Sequence, residues 1–267
     1  MDFSLKGKVA IVTGGSKGIG QSISIALASE GVKVVIIARG IDAITETCDL
    51  IQRAGGEAFG ISADVTSEIE AQNAVQMIIS KYGKLDLLVN NAGGAVKYGS
   101  FQECSLTDWL DSFSLNVLVC VNFVKAAEQA LLMSGNGCIL TVSSITGVQP
   151  GHFNPHYSTT KAATINLSKH LANIYANKGI RSNVICPGPV HSDSWSENVA
   201  HLSERKNIPF DAAFLELEEQ EIKKIPFGRV GNPEDISAMA VFLLSDKASW
   251  ITGACFHVSG GKYSAMS

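Results

Sequence analysis

A chain of 267 residues with 46% hydrophobic and 17% charged residues can bury a core on several sides, so disorder is excluded. A formal net charge of −4, with no block of basic residues, argues against a nucleic-acid or anionic-membrane partner. No fixed-period repeat, Pro- or Ser-rich linker or low-complexity run divides it, so one domain over 1–267 is expected.

The first eight residues carry Asp2, Lys6 and Lys8 and run straight into a strand pattern, which does not suit a signal peptide. No apolar run is expected to reach the roughly 20 residues of a bilayer span. A cytoplasmic protein is therefore expected. From there, short β-branched runs alternate with helical patterns. Strands are expected at 9–13, 32–38, 57–61, 85–90, 138–143, 180–186 and 254–258, and helices at 18–30, 41–54, 66–82, 107–133, 155–178 and 233–245. Seven strands joined by helical crossovers make a Rossmann-type, doubly wound α/β fold with a parallel sheet flanked by helices.

One stretch departs from this rhythm. Between 189 and 226 the strand pattern lapses, and from Asp193 to Lys224 there are eight acids and four bases. Phe214, Leu217, Ile222 and Ile225 still trace an apolar stripe. A charged, amphipathic excursion at the carboxyl edge of a parallel sheet reads as a helical lid over a substrate cleft. The six cysteines sit in apolar segments without CxxC pairs and read as free thiols, and the histidines show no HExxH or HxH spacing, so no metal site is expected.

Thr13-Gly14-Gly15-Ser16-Lys17-Gly18-Ile19-Gly20 follows the first strand and opens the first helix. Glycines here let the backbone approach a pyrophosphate, whose charge rests on the helix N-terminus. At the end of the second strand stand Ala38 and Arg39, with no acid to hold a ribose diol. A guanidinium there, with Lys17 nearby, suits a 2′-phosphate and favours NADP(H) over NAD(H).

On a helix, Tyr157 and Lys161 share one face, at i and i+4. A free phenol titrates near ~10, and a neighbouring ammonium together with a positive nicotinamide stabilises the phenolate. Ser144 ends the fifth strand thirteen residues before Tyr157 and can hydrogen-bond an oxygen on which charge develops. Its neighbour Ser143 points to the opposite face and is the lesser candidate.

The TGxxxGxG turn, the Tyr157–Lys161 spacing and the Ser144–Tyr157 separation together resemble the short-chain dehydrogenase/reductase family, with 3-oxoacyl-carrier-protein reductases and related carbonyl reductases among its members. The resemblance runs from Leu5 to Gly261. It implies a catalytic tetrad of Asn116, Ser144, Tyr157 and Lys161, in which the backbone at Asn116 holds a water that links Lys161 to solvent. It also implies cofactor contacts from Gly14, Ser16, Lys17, Gly18, Ile19, Gly20 and Arg39, from Asp64 and Val65 after the third strand, and from Asn91, Ala92 and Gly93 of the Asn-Asn-Ala-Gly segment. Tyr157, Lys161, Pro187, Gly188, Val190 and Ser192 complete that set. Ser192 stands where the family usually has Thr, and Ser259 stands where an acid before Gly-Gly is usual.

The expected activity is hydride transfer between nicotinamide and a carbonyl or secondary alcohol carbon. The substrate expected is small or moderately apolar, because an acidic lid does not suit an acidic carrier protein. Ser144, Gln149, His152, His156 and Trp195 are candidates for its pocket. A non-catalytic dinucleotide-binding sensor or scaffold is the rival reading, against which the complete tetrad speaks. Helices 107–133 and 155–178 are apolar around much of their circumference, and the family pairs them between subunits. A homo-oligomer, dimer or tetramer, is expected.

Overall fold

Alternation along the first strand decides how the layers assemble. In β1 (Val9–Thr13), Val9 and Ile11 face one side of the sheet, while Ala10 and Val12 face the other. Every one of its residues is buried, as expected of a parallel strand covered on both faces. The computed structural model describes residues 2–265.

The remaining elements follow in chain order as α1 (Gly18–Ser29), β2 (Lys33–Ala38), α2 (Ile41–Arg53), β3 (Glu57–Ser62), α3 (Glu68–Tyr82), β4 (Leu87–Asn90), α4 (Leu106–Phe113), α5 (Val119–Met133), β5 (Gly137–Val142), α6 (Pro155–Tyr175), β6 (Ile180–Pro187), α7 (Asp193–Lys206), α8 (Phe210–Ile222), α9 (Pro233–Leu244) and β7 (Cys255–Val258). The seven strands form one parallel sheet in the order β3-β2-β1-β4-β5-β6-β7. The order reverses between β1 and β4, and a crevice opens there at the carboxyl ends of the strands.

Two cores result. Ile23 and Leu27 of α1, Ile44 and Ile51 of α2 and Ile236 and Leu243 of α9 pack on one face. Ala74 and Ile78 of α3, Phe123 and Leu131 of α5 and Leu171 of α6 pack on the other. Helix starts carry their own signals. Ser67 Oγ accepts the Glu70 N–H at 3.3 Å, and the Asp235 carboxylate accepts the Asn232 N–H at 2.8 Å just before Pro233.

Three sequence expectations are corrected. The single helix expected over 107–133 is two α-helices joined by a π-helical turn, Ser114–Leu118. A π-turn inserts one residue into the ladder, and such turns gather at functional sites. The run Leu106–Met133 is also long and apolar enough, by length and composition, to cross a membrane, contrary to the expectation that no such run exists. Its inner side instead packs on β4, β5 and α3 in the second core. The helix expected over 155–178 leaves α geometry after Tyr175 and closes with a 3₁₀ turn, 176–178.

Within 189–226, α7 and α8 pack on each other through Trp195, Val199, Leu202 and Ala213, joined by Ile225 beyond the end of α8, with Phe214, Leu217 and Ile222 at the edge of the cluster. The apolar stripe of the sequence thus builds a small separate core at the carboxyl end of the sheet.

Candidate active site

The glycine-rich turn is held from below. Thr13 Oγ1 donates to Val89 O at 3.2 Å and accepts the N–H groups of Asn91 and Ala92 at 3.0 and 3.1 Å. Asn91 Nδ2 donates to Thr13 O and Gly14 O at 2.9 and 3.1 Å. The turn after β1 and the segment after β4 are therefore laced into one platform. Gly20 has no alternative there: a Cβ on it would lie 2.2 Å from Gly14 O.

Above this platform lies a cleft of about 550 Å³, lined by Gly14 and Ser16 through Gly20 of the turn, by Arg39, and by Val65, Asn91, Ala92 and Gly93. Lys17 and Arg39 are exposed at its rim. The cradle fits a dinucleotide, because glycines open it and two cations flank it, Arg39 where β2 ends without an acid and Lys17 in the glycine-rich turn. Asp64 is placed differently. Its carboxylate accepts from Thr66 N–H and Oγ1 at 2.9 and 2.8 Å, which holds it below the usual carboxylate range, and it does not line the cleft.

A second cavity of about 340 Å³ opens beside the first. Tyr157 lines both. Lys161 lines only the cleft, and Ser144 lines only the second cavity. The phenol therefore stands at the junction, with its ammonium on one side and the serine hydroxyl on the other. Lys161 is 4% exposed; its Nζ lies 5.6 Å from the Tyr157 ring centroid and donates to Val142 O at 3.0 Å. The bend that ends β5 places Ser144, whose Oγ accepts from Thr146 N–H and Oγ1 at 3.2 and 3.0 Å.

Ser143 behaves otherwise. Its side chain donates to Lys161 O at 2.8 Å and accepts from Thr164 Oγ1 at 3.1 Å, so it fastens α6 to β5. Asn116 lines neither cavity. From the π-turn its Oδ1 accepts Gly94 N–H at 3.1 Å and its Nδ2 donates to Gly94 O and Ser112 O at 3.0 and 2.9 Å. Gly93 lies between Asn116 and Lys161: a Cβ there would be 2.6 Å from Asn116 Oδ1 and 3.2 Å from Lys161 Nζ.

Pro187 ends β6 and lines the second cavity together with Gly188, Val190 and Ser192 of the following loop, with Ser192 reaching both. Gly188 packs against Ser259, where a Cβ would sit 2.8 Å from Ser259 Cα. The residue that departs from the family pattern thus backs the loop at the cavity.

Of the pocket candidates, Ser144 and Trp195 line the second cavity. Gln149 does not: it is exposed, and its Oε1 accepts from Ser264 N–H and Oγ at 3.1 and 2.9 Å. His152 is exposed and lies outside the lining. His156 is wholly buried; its Nδ1 accepts Tyr157 N–H at 2.8 Å, and its ring meets Trp109 edge-on. Nearness in sequence to Tyr157 did not bring these three to the cavity: His156 adjoins Tyr157 on α6, where successive residues point 100° apart, and Gln149 and His152 lie in the loop before that helix.

Sequence reading missed several lining residues, among them Tyr98, Asn154, Asn198, Glu221 and Lys262. Burial and the carboxylate of Glu197 push the Tyr98 phenol well above its ordinary value. Glu221 is ion-paired with both Lys224 and Lys262. Burial opposes its charge, yet these two lysines outweigh burial and hold it below the usual range. No local motif marks Lys262, which arrives from the far end of the chain.

These features define a Rossmann-type protein with a dinucleotide cleft and a phenol at the mouth of a second cavity. A family model described as enoyl-(acyl carrier protein) reductase matches residues 14–262. The chain is 34% identical to 7alpha-hydroxysteroid dehydrogenase of Escherichia coli, over 97% of this chain and 96% of that one. It is 35% identical to a 3-oxoacyl-(acyl-carrier-protein) reductase of Staphylococcus aureus, over 96% and 98%. Among solved structures, L-sorbose reductase from Gluconobacter frateurii complexed with NADPH and L-sorbose superposes with a TM-score of 0.92 at 29% identity, over the whole of both chains. The chain belongs to the short-chain dehydrogenase/reductase family of oxidoreductases.

Proposed function

We propose that this protein is an NADP(H)-dependent oxidoreductase acting on a small carbonyl compound or the matching secondary alcohol, with Tyr157 as general acid and base. The observation that carries the reading is the place of Tyr157: alone of the four tetrad residues it borders both cavities. NADP(H), when bound, supplies or accepts the hydride. Gly14 through Gly20 would hold its pyrophosphate, and Lys17 and Arg39 its 2′-phosphate.

In reduction, Tyr157 Oη gives its proton to the substrate oxygen while Ser144 Oγ donates a hydrogen bond to that oxygen. Lys161, fixed by Val142 O, keeps positive charge beside the phenol as its proton leaves. Proton return then runs from the Asn116 side through Lys161 to Tyr157. Oxidation reverses each step.

Tyr98, Asn154, Ser194, Asn198 and Lys262 place polar atoms around Trp195 and Leu217 in the second cavity. That mixture, in a space of about 340 Å³, favours a small carbonyl compound bearing further polar groups. The second reading, a 3-oxoacyl-carrier-protein reductase, draws support from the Staphylococcus aureus relative. The acidic segment 193–224 disfavours it, since an acidic carrier would meet like charge.

The test is NADPH oxidation with a ketose, a 7-oxo bile acid and an acetoacetyl thioester, in wild type and Tyr157→Phe. Turnover on the small polar carbonyl that vanishes in Tyr157→Phe is the expected result. Tight NADPH binding with no turnover on any carbonyl would favour the sensor reading instead.

We also propose a cytoplasmic homo-oligomer. Leu106, Leu110 and Phe113 are 84%, 71% and 44% exposed, one face of α4 left apolar in the single chain.

A further inference from the structure

Behind the second cavity, three soft ligand atoms converge in a place that the hydride-transfer chemistry does not use. Cys186 Sγ and Cys255 Sγ lie 3.3 Å apart, and Cys255 Sγ and His257 Nε2 lie 3.9 Å apart. All three donor atoms fall within 4.8 Å of one another. Strand geometry accounts for this. Cys255 and His257 are two apart on β7 and share a face, and Cys186 on β6 pairs directly with His257.

We propose that Cys186, Cys255 and His257 form a binding site for one thiophilic divalent ion of the zinc class, which staples edge strand β7 to β6. Two thiolates and an imidazole select such ions over magnesium, calcium or manganese, which prefer oxygen. A tetrahedral ion with Zn–S bonds of about 2.3 Å spaces its sulfurs roughly 3.7 Å apart, a few tenths wider than the pair stands now. The charges also balance: two thiols release their protons to solvent, and two thiolates neutralise a dication in a half-buried setting. Ile145, Val184 and Ile165 form an apolar wall around the sulfurs. Cys255 and His257 are only partly buried, which keeps the group within reach of solvent, and the His257 ring stacks on Tyr263 with centroids 3.9 Å apart.

The site bears on the cavity through covalent connection. Cys186 immediately precedes Pro187, a lining residue, and the main chain of Ser144 lies against the Cys186 sulfur. An occupied site would hold the end of β6 fixed relative to Ser144. It would also reinforce β7, which is four residues long and, among the described residues, pairs only along β6.

The full-length, reduced and metal-free protein is titrated with Co(II) and followed by thiolate-to-cobalt charge-transfer absorption, with melting measured in excess Zn(II). Expected are one ion per chain, loss of the charge-transfer band in Cys255→Ser, an altered ligand-field spectrum in His257→Gln, and no change in Cys104→Ser. Zn(II) should raise the melting temperature of wild type and leave that of Cys255→Ser where it was. Cys255→Ser lies on a partly exposed edge strand and keeps the test usable even if Cys186→Ser does not fold. The proposal is overturned if no charge-transfer band appears, if the band survives undiminished in Cys255→Ser, if the ligand-field spectrum is unchanged in His257→Gln, or if the two sulfurs form only a disulfide and bind no Co(II) after reduction.

Discussion

The carboxamide of Asn116 closes a two-point pair with the main chain of Gly94, accepting its N–H at 3.1 Å and donating to its carbonyl at 3.0 Å. Through this pair the π-turn after α4 fixes the loop after β4, and with it the floor on which Lys161 stands. Gly93 is the tight point, with a backbone φ of +156° and no room for a side chain. Gly93→Ala should lower kcat by about 10²-fold, the scale of loss for a small misplacement of reacting groups. Steady-state kinetics, with circular dichroism to establish folding, would check this.

Tyr157→Phe removes the proton carrier and leaves the cleft lining otherwise intact. Turnover should fall by about 10²–10⁴-fold. NADPH affinity, read by fluorescence titration, should stay within a few-fold of wild type. A variant that kept its full rate would refute the acid–base role.

Arg39→Ala tests cofactor choice. A charge-assisted contact contributes about 1.5–3 kcal/mol. The KM for NADPH should therefore rise roughly 10- to 100-fold, while that for NADH stays nearly level. Equal effects on both cofactors would show that Arg39 does not read the 2′-phosphate.

Asp235 links stability to pH. Arg229 grips its carboxylate at 2.7 and 2.8 Å, which holds its pKa below the ordinary value. A depressed folded-state pKa means that the stabilisation is complete above the unfolded value, near ~3.9, and is lost as pH falls through the folded one. Both side chains are partly exposed, so solvent screens the pair. Asp235→Asn should lower the melting temperature at neutral pH by roughly 1–3 °C. The gap from wild type should narrow once pH drops below the ordinary aspartate range.

Leu110→Asp places a charge on the bare face of α4. Light scattering should give a multiple of the chain mass for wild type and a smaller species for the variant. A monomeric wild type would count against the proposed assembly.

Sequence alone determined what lies within a few residues of itself. The seven strands, the glycine-rich turn and the phenol one helical turn from an ammonium are local patterns, because strand and helix periods place neighbours on predictable faces. The tertiary structure decided which distant segments meet. It drew Lys262 into the cavity beside Glu221 and set Cys186 of β6 beside Cys255 of β7. It also buried His156 beneath Trp109, although that histidine adjoins Tyr157 in the chain. Those contacts come from the order of strands in the sheet and the packing of helices upon it, which depend on the whole core together and leave no mark in any short stretch of sequence.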